Sequence, residues 1–282
     1  MAQIDTNRFP YNQIEDRTVD GNAMVYIPKV YVKNATENGL IKRYISNVKK
    51  TGYHCHPAFM QSGHEVEGIL IGKYLAKGTT AAPTSVETGE ILTANLETAQ
   101  TAGKVLGVDW HMYNIYEHHL LALLMLIEYG STDLQNLIGG SATANSVTHY
   151  GITDIWGNAT KTVWIDGIDT RGSNDTTLRV ADNLGNGTMV DTGLVCGTDL
   201  QNGWIVDLHD ESGEGYDLND LFIGKNVSNT ESDGTFGDKQ YLSNGGRGVY
   251  LDYGAYSYYG AFYLSCAAPS ASCAFRLAKY VA

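Results

Sequence analysis

The chain has 282 residues and a mass of 30.7 kDa, enough for one large domain or two modest ones, and its 43% hydrophobic residues supply a core. Thirty-one acidic against nineteen basic side chains give a formal net charge of -12. Phosphate backbones and anionic lipid are recognised by clustered Lys and Arg, so this balance excludes nucleic acid and acidic membranes as expected partners.

Thirty-two Gly and nineteen Tyr against five Pro point to tight turns and strands, because Gly supplies positive φ and Tyr suits a half-buried pleated surface. Residues 1–22 are polar and unpatterned and read as an N-terminal connector or oligomer contact, with one domain over 23–282. MVYIP (24–28) followed by VYV (30–32) reads as a strand broken at Pro28, where a ladder donor is missing, and GILIGKY (68–74) as another. A helix over 95–104 is expected after Thr93 as N-cap, ending near Gly103 and Gly107. A second, over 114–128, is apolar around most of its circumference and reads as a buried central helix stopped at Gly130.

That helix carries His118 and His119, which as neighbours point to different sides, cannot chelate as an i, i+4 pair, and read as structural or surface residues. In His54-Cys55-His56 both histidines would share one face of a strand, but without further ligands at usable spacing they read as flanking a turn at Pro57. From residue 150 onward short strands (163–168, 178–180, 189–195, 204–206) alternate with Gly, Asn and Asp turns. The acidic, Gly-rich stretch 211–236 reads as a long surface excursion. The longest apolar run, 120–127, is far short of the roughly 20 residues of a membrane span, and the opening MAQIDTNRFP lacks an apolar signal region, so no membrane insertion is expected.

Catalytic and cofactor signatures are sparse. There is no GxGxxG after a strand, no GxxxxGK[ST] and no HExxH. Asp and Asn are plentiful in 166–191 without EF-hand spacing, which leaves calcium open. Cys55, Cys196, Cys266 and Cys273 show no CxxC pair and no zinc-finger spacing and read as buried or incidental thiols; the closeness of Cys266 and Cys273 in sequence leaves a bridge open.

Three segments stand in a telling order: MVYIP (24–28); GITDIWGN (151–158) with VWID (163–166); and GGR (245–247) leading to GAF (260–262) and AFRL (274–277). Together they resemble the C-type-lectin-like superfamily that contains formylglycine-generating enzymes and the variable proteins of diversity-generating retroelements. The second segment is similar to its Gly-(Leu/Ile)-x-Asp-x-x-Gly-Asn-x-x-Glu-Trp block, the third to its Gly-Gly-x-Trp to Gly-Phe-Arg-Leu terminus. The match frames residues 22–282. It departs from the pattern where Gly248 and Val249 stand in place of Trp, where Ala274 replaces Gly, and where 159–162 lacks the acidic residue. The resemblance implies an α+β C-type lectin fold of the formylglycine-generating-enzyme type, with two helices around short antiparallel strands and long loops.

Residues 245–275 hold six tyrosines (Tyr250, Tyr253, Tyr256, Tyr258, Tyr259, Tyr263) and no Lys, Glu, Gln, Met or Trp. No codon ending in a pyrimidine encodes those five residues, and adenine-directed mutagenesis of Asn codons yields this menu. The variable proteins that the chain resembles hold their diversified residues at this position. Tyr gives rigid, amphipathic contact area at low entropic cost while Ser, Gly and Ala permit close approach. The competing reading is that the tyrosines pack a β-rich core with their hydroxyls at its edge.

By the resemblance, the ligand-facing positions are Tyr250, Asp252, Tyr253, Ala255, Tyr256, Ser257, Tyr258 and Tyr259 on one limb, and Ser265, Ala267, Ala268, Ser270 and Ser272 on the other. Phe262, Leu264, Phe275 and Leu277 are the apolar residues that hold the segment, and Arg276 is a structural hydrogen-bonding residue. The resulting expectation is a non-enzymatic, cofactor-free receptor-binding protein of a phage or prophage tail tip, diversified by a retroelement. It would recognise a bacterial cell-surface protein or glycan as a homotrimer, by analogy with tail fibres, with avidity from multivalency. Two alternatives are a formylglycine-generating-type copper oxidase using Cys266 and Cys273 as Cu(I) thiolates, and a non-diversified bacterial surface adhesin. Cys273, immediately before AFRL, does not coincide with the enzyme's cysteine positions.

Overall fold

The computed structural model describes residues 7–37, 40–138, 147–156, 161–251 and 261–282. Strand β1 (Glu15–Val19) pairs antiparallel with β2 (Asn22–Pro28) across Asp20-Gly21, both at positive φ (52° and 78°), the two-residue turn that matches strand twist. Tyr11 is buried and its hydroxyl donates to the Leu124 carbonyl at 2.8 Å. The polar opening, read as a connector, therefore joins the fold from Tyr11 onward. Its polarity reflects an edge strand with no buried residue.

The chain breaks after Pro28 and resumes as β3 (Tyr31–Glu37), which forms a hairpin with β4 (Leu40–Ser46) and also pairs with β5 (His54–Cys55). Strand β6 (Gly68–Gly72) is buried in every residue. After β7 (Thr93–Ala94), helix α1 (Leu96–Lys104) is capped by Asn95, whose side chain accepts from the Thr98 N–H at 2.9 Å; Thr93, the expected cap, lies in the strand instead. Strand β8 (Trp110–Met112) leads into α2 (Ile115–Tyr129). A capping box opens that helix: Asn114 Oδ1 accepts from Glu117 N–H, and Glu117 Oε2 accepts from Asn114 N–H. Gly130, left-handed at φ 62°, closes it. Twelve of its 15 residues are buried, so α2 runs through the core rather than along a surface. A single turn, α3 (Gln135–Ile138), follows.

Beside short two-stranded ribbons elsewhere, the strands that complete the two large sheets are β9 (Val163–Asp169), β10 (Thr177–Ala181), β11 (Met189–Val195), β12 (Gly203–Leu208), β13 (Gly224–Ser228), β14 (Lys239–Tyr241), β15 (Gly248–Leu251), β16 (Leu264–Ala267), β17 (Cys273–Ala274) and β18 (Leu277–Val281). One antiparallel sheet has the order β1-β2-β6-β18-β8 and thus holds the C-terminal strand in its interior. The larger sheet runs β7-β17-β9-β15-β16-β14-β12-β13, with β10 and β11 branching from β9. Most of its pairings are antiparallel, as the resemblance implied, but β9 with β17 and β14 with β16 are parallel. After β16 the chain crosses β15 and β9 before re-entering the sheet, and that crossover sets the direction of β17.

The main core gathers around α2, and a second cluster joins Leu96, Ala99 and Ala102 of α1 to Trp164, Phe275 and Leu277. Stretch 211–236 is not a surface excursion. Leu218, Leu221, Phe222 and Ile223 are buried and β13 lies within it. Its acids serve local structure: Asp217 accepts from Asn219 N–H at 2.9 Å and caps the turn Leu218–Asp220, which turns the apolar residues inward. The fold is α+β and dominated by strands. Among the described residues, no helix is long and apolar enough to cross a membrane.

Candidate ligand-binding surface

The segment 245–276 enters over a fixed turn. Gly245 and Gly246 N–H both donate to the Asp175 carbonyl (2.8 and 3.3 Å), Thr170 N–H donates to the Arg247 carbonyl (2.9 Å), and Arg247 N–H donates to Thr170 Oγ1 (3.0 Å). A Cβ on Gly248 would stand 2.7 Å from Leu96 Cδ2 and 3.0 Å from the Trp164 ring, so glycine lets β15 pass close to α1 without displacing either side chain. Beneath the turn, Asp169 is 2% exposed and accepts two hydrogen bonds from Arg179 (2.9 and 2.8 Å) and one from Arg171 Nε (2.9 Å). Burial opposes ionisation of Asp169, but these bonds outweigh it and hold its carboxyl below the usual range.

Register decides what the segment displays. Tyr250 pairs with Ser265, Ser265 with Tyr241, and Trp164 with Tyr250. Paired residues share a face, so Trp164, Tyr250, Ser265 and Tyr241 form one row across β9, β15, β16 and β14. Exposure runs from 0% at Trp164 through 6% at Ser265 to 41% at Tyr241. The half-buried Tyr250 ring stands edge-on to Trp164 at 6.0 Å. On the opposite face Val249, Leu251 and Leu264 are in the main core.

Of the expected ligand-facing residues, Ser270 and Ser272 are exposed, Tyr250, Ala267 and Ala268 are half-buried, and Ser265 is buried. Ser270 and Ser272 sit on a turn tied down at both ends of its first half: Leu96 N–H donates to the Pro269 carbonyl (2.9 Å) and Ala271 N–H to the Ala268 carbonyl (2.8 Å). Asp252, Tyr253, Ala255, Tyr256, Ser257, Tyr258 and Tyr259 lie outside the described residues. Tyr263 is 2% exposed and packs inward. Phe262, Leu264, Phe275 and Leu277 are fully buried. Arg276, also buried, donates to the carbonyls of Gly72 (2.6 Å), Thr153 (2.5 Å) and Asp154 (3.2 Å), and so joins the terminal AFRL segment to the GITD block.

Two residues, His118, read from the sequence only as structural or surface, and Asp238, which carried no signal, hold the segment where it returns to the core. His118 Nε2 donates to the Ala261 carbonyl (3.0 Å), and Phe262 N–H donates to Asp238 Oδ2 (2.9 Å). Burial pushes His118 down to about 4, so its ring is neutral. Its neighbour points elsewhere, as adjacency dictates: His119 Nδ1 accepts from Phe222 N–H at 3.0 Å. Tyr241, the most exposed ring of the row, was likewise missed, because KQY is too short to show a pattern.

The metal candidates separate. His54 Nε2 contacts Asp220 Oδ2 at 2.8 Å, whereas the buried His56 accepts from Ala58 N–H at 3.2 Å, capping the turn at Pro57. Among the described residues, no group of three or more His, Cys, Asp or Glu is placed to hold a metal ion. All four cysteines carry thiols rather than disulfides, and burial pushes Cys55 up to about 12 and Cys196 to about 11, away from thiolate chemistry. Cys266 on β16 and Cys273 on β17 are three strand spacings apart in the sheet, roughly 14 Å, too far for a disulfide. No protein-family model matches the chain, and no curated protein does either.

Proposed function

We propose that this chain is a C-type-lectin-fold receptor-binding protein of a phage or prophage tail tip, with its ligand surface in segment 245–276 and its residues there diversified by a retroelement. It acts by binding rather than catalysis, recognises a bacterial cell-surface protein or glycan, and forms a homotrimer whose copies add avidity. The observation that carries the reading is the composition of 245–275: six Tyr with Ser, Ala and Gly, and none of the five residues that a pyrimidine-ending codon cannot encode.

The geometry supports it. Both flanks of 252–260 are anchored, by β15 on one side and by the His118 and Asp238 bonds on the other, and the 268–272 turn directs Ser270 and Ser272 outward from a pinned backbone. A rigid frame of this kind lets side chains on it be exchanged at little cost to the core. The copper-oxidase alternative needs Cys266 and Cys273 together, and their separation across the sheet speaks against it. The test is a triple variant, Tyr253→Ala, Tyr256→Ala and Tyr258→Ala, scored by adsorption of the purified protein to cells of the bacterium that carries the locus. Adsorption is expected to disappear with Tm nearly unchanged; retained adsorption, or an unfolded variant, contradicts the proposal.

A further inference from the structure

We infer that the chain carries a second, preformed binding site, separate from segment 245–276, for a single neutral pyranose ring. The site is a solvent-open cavity of about 310 Å³ between the β3–β5 sheet and the 217–220 turn, and none of its lining residues belongs to the C-terminal segment. Its size lies at the lower end of ligand cavities, about 300–1,000 Å³, which suits one sugar ring and not an extended chain.

The walls are fixed before any ligand arrives. Asp182, itself buried, accepts from the N–H of Leu184 (3.0 Å) and Asn186 (3.2 Å) and from Thr188 Oγ1 (2.6 Å), while the Leu184 and Gly185 carbonyls accept from Gly63 and Ser62 N–H (2.8 and 2.9 Å). On the facing wall Asp220 accepts from Asn34 (3.0 Å) and contacts His54 (2.8 Å). Little ordering entropy is left to lose on binding.

The lining matches a sugar ring group by group. Tyr53, Pro57 and Leu184 supply the apolar part of the lining for a C–H face, and Leu184 is 48% exposed although its backbone is locked in place. Polar groups of the lining without a hydrogen bond among the described residues include the Tyr53 hydroxyl, the Asn183 carboxamide, whose backbone N–H is bonded, and Asp217 Oδ2, since Oδ1 takes both bonds from Asn219. A carboxamide donor and a carboxylate acceptor lining one cavity suit sugar hydroxyls, which both accept and donate. Lys49 pairs with Glu65 (3.4 Å) and His54 with Asp220, which leaves the Asp217 carboxylate in excess; that balance disfavours an anion, and a neutral hydroxyl-bearing ligand suits the lone acceptor.

The test is saturation-transfer NMR on the full chain with the methyl glycosides of glucose, galactose, mannose and N-acetylglucosamine. At least one glycoside should bind. Asn183→Ala and Asp217→Asn should each weaken it about tenfold, as loss of one polar contact does, and Tyr53→Ala should abolish it. Asn at 217 keeps the Oδ1 cap on Asn219, so that variant isolates the free oxygen. The Tyr253, Tyr256 and Tyr258 triple variant should leave glycoside binding intact, which separates this site from the C-terminal one. No binding by any glycoside, or binding that persists in folded Asn183→Ala and Asp217→Asn, overturns the inference.

Discussion

At Gly248 one added carbon would stand 2.7 Å from Leu96 Cδ2, so Gly248→Ala is expected to overpack the contact between β15 and α1. The expected cost is about 1–3 kcal/mol, read as a lower urea midpoint at unchanged m value. Asp169 is the electrostatic counterpart, a 2% exposed carboxylate surrounded by Arg179 and Arg171. Asp169→Asn leaves those guanidinium groups without their counter-charge and is expected to cost about 3 kcal/mol in the same measurement. The outward residues behave oppositely: Ser270→Tyr and Ser272→Tyr alter exposed positions on a pinned turn and should change stability by less than about 0.5 kcal/mol.

At the scale of elements, helix α2 and the turn at Pro57 bury three neutral histidines. Burial pushes His56 and His118 down to about 4 and holds His119 well below its ordinary value. The unfolded chain takes up protons at these rings below about 6.5. In the window from there to about 4 the unfolded state binds more protons than the folded one, and stability falls as pH falls. His111 behaves differently: burial opposes its charge, Glu117 outweighs burial and raises it, and its contribution is present below the unfolded value and lost as pH rises above. Asp169, held low, adds to acid lability as pH falls through its folded value. The urea midpoint should therefore decline steadily from about pH 6.5 to pH 4, and His118→Gln should flatten part of that slope. A midpoint constant over the window contradicts this assignment of neutral rings.

The same helix shows which elements were legible in the sequence. Its apolar circumference, Asn114 and Gly130 mark it without any tertiary information, and β2, β9 and β11 announce themselves through β-branched and aromatic runs. Strands β14, β16 and β17 have two to four residues and form only because distant partners present their edges, as Gln240 does to Leu264. Composition misled at 211–236, where acidic residues mask Leu221, Phe222 and Ile223. Within the candidate surface, the exposed Ser270 and Ser272 were expected only through the family resemblance. The burial of Ser265 depends on register with Tyr250 and Tyr241, which no local pattern encodes.

Across the whole molecule, the C-terminal strand is what closes the fold. Strand β18 lies between β6 and β8, and Arg276 just before it bonds carbonyls at Gly72, Thr153 and Asp154. Deleting residues 277–282 should unfold the protein, seen as loss of a cooperative melting transition, because two strands of the N-terminal sheet lose their partner. Segment 245–276 is thus framed by structure on both sides, and the proposed role rests on side-chain exchange within that frame. The most direct measurement is to read the encoding locus. An imperfect copy of the codons for 245–276, lying beside a reverse-transcriptase gene and differing from them at adenines, is the predicted result; a complete locus with no such copy would contradict a diversified receptor-binding surface.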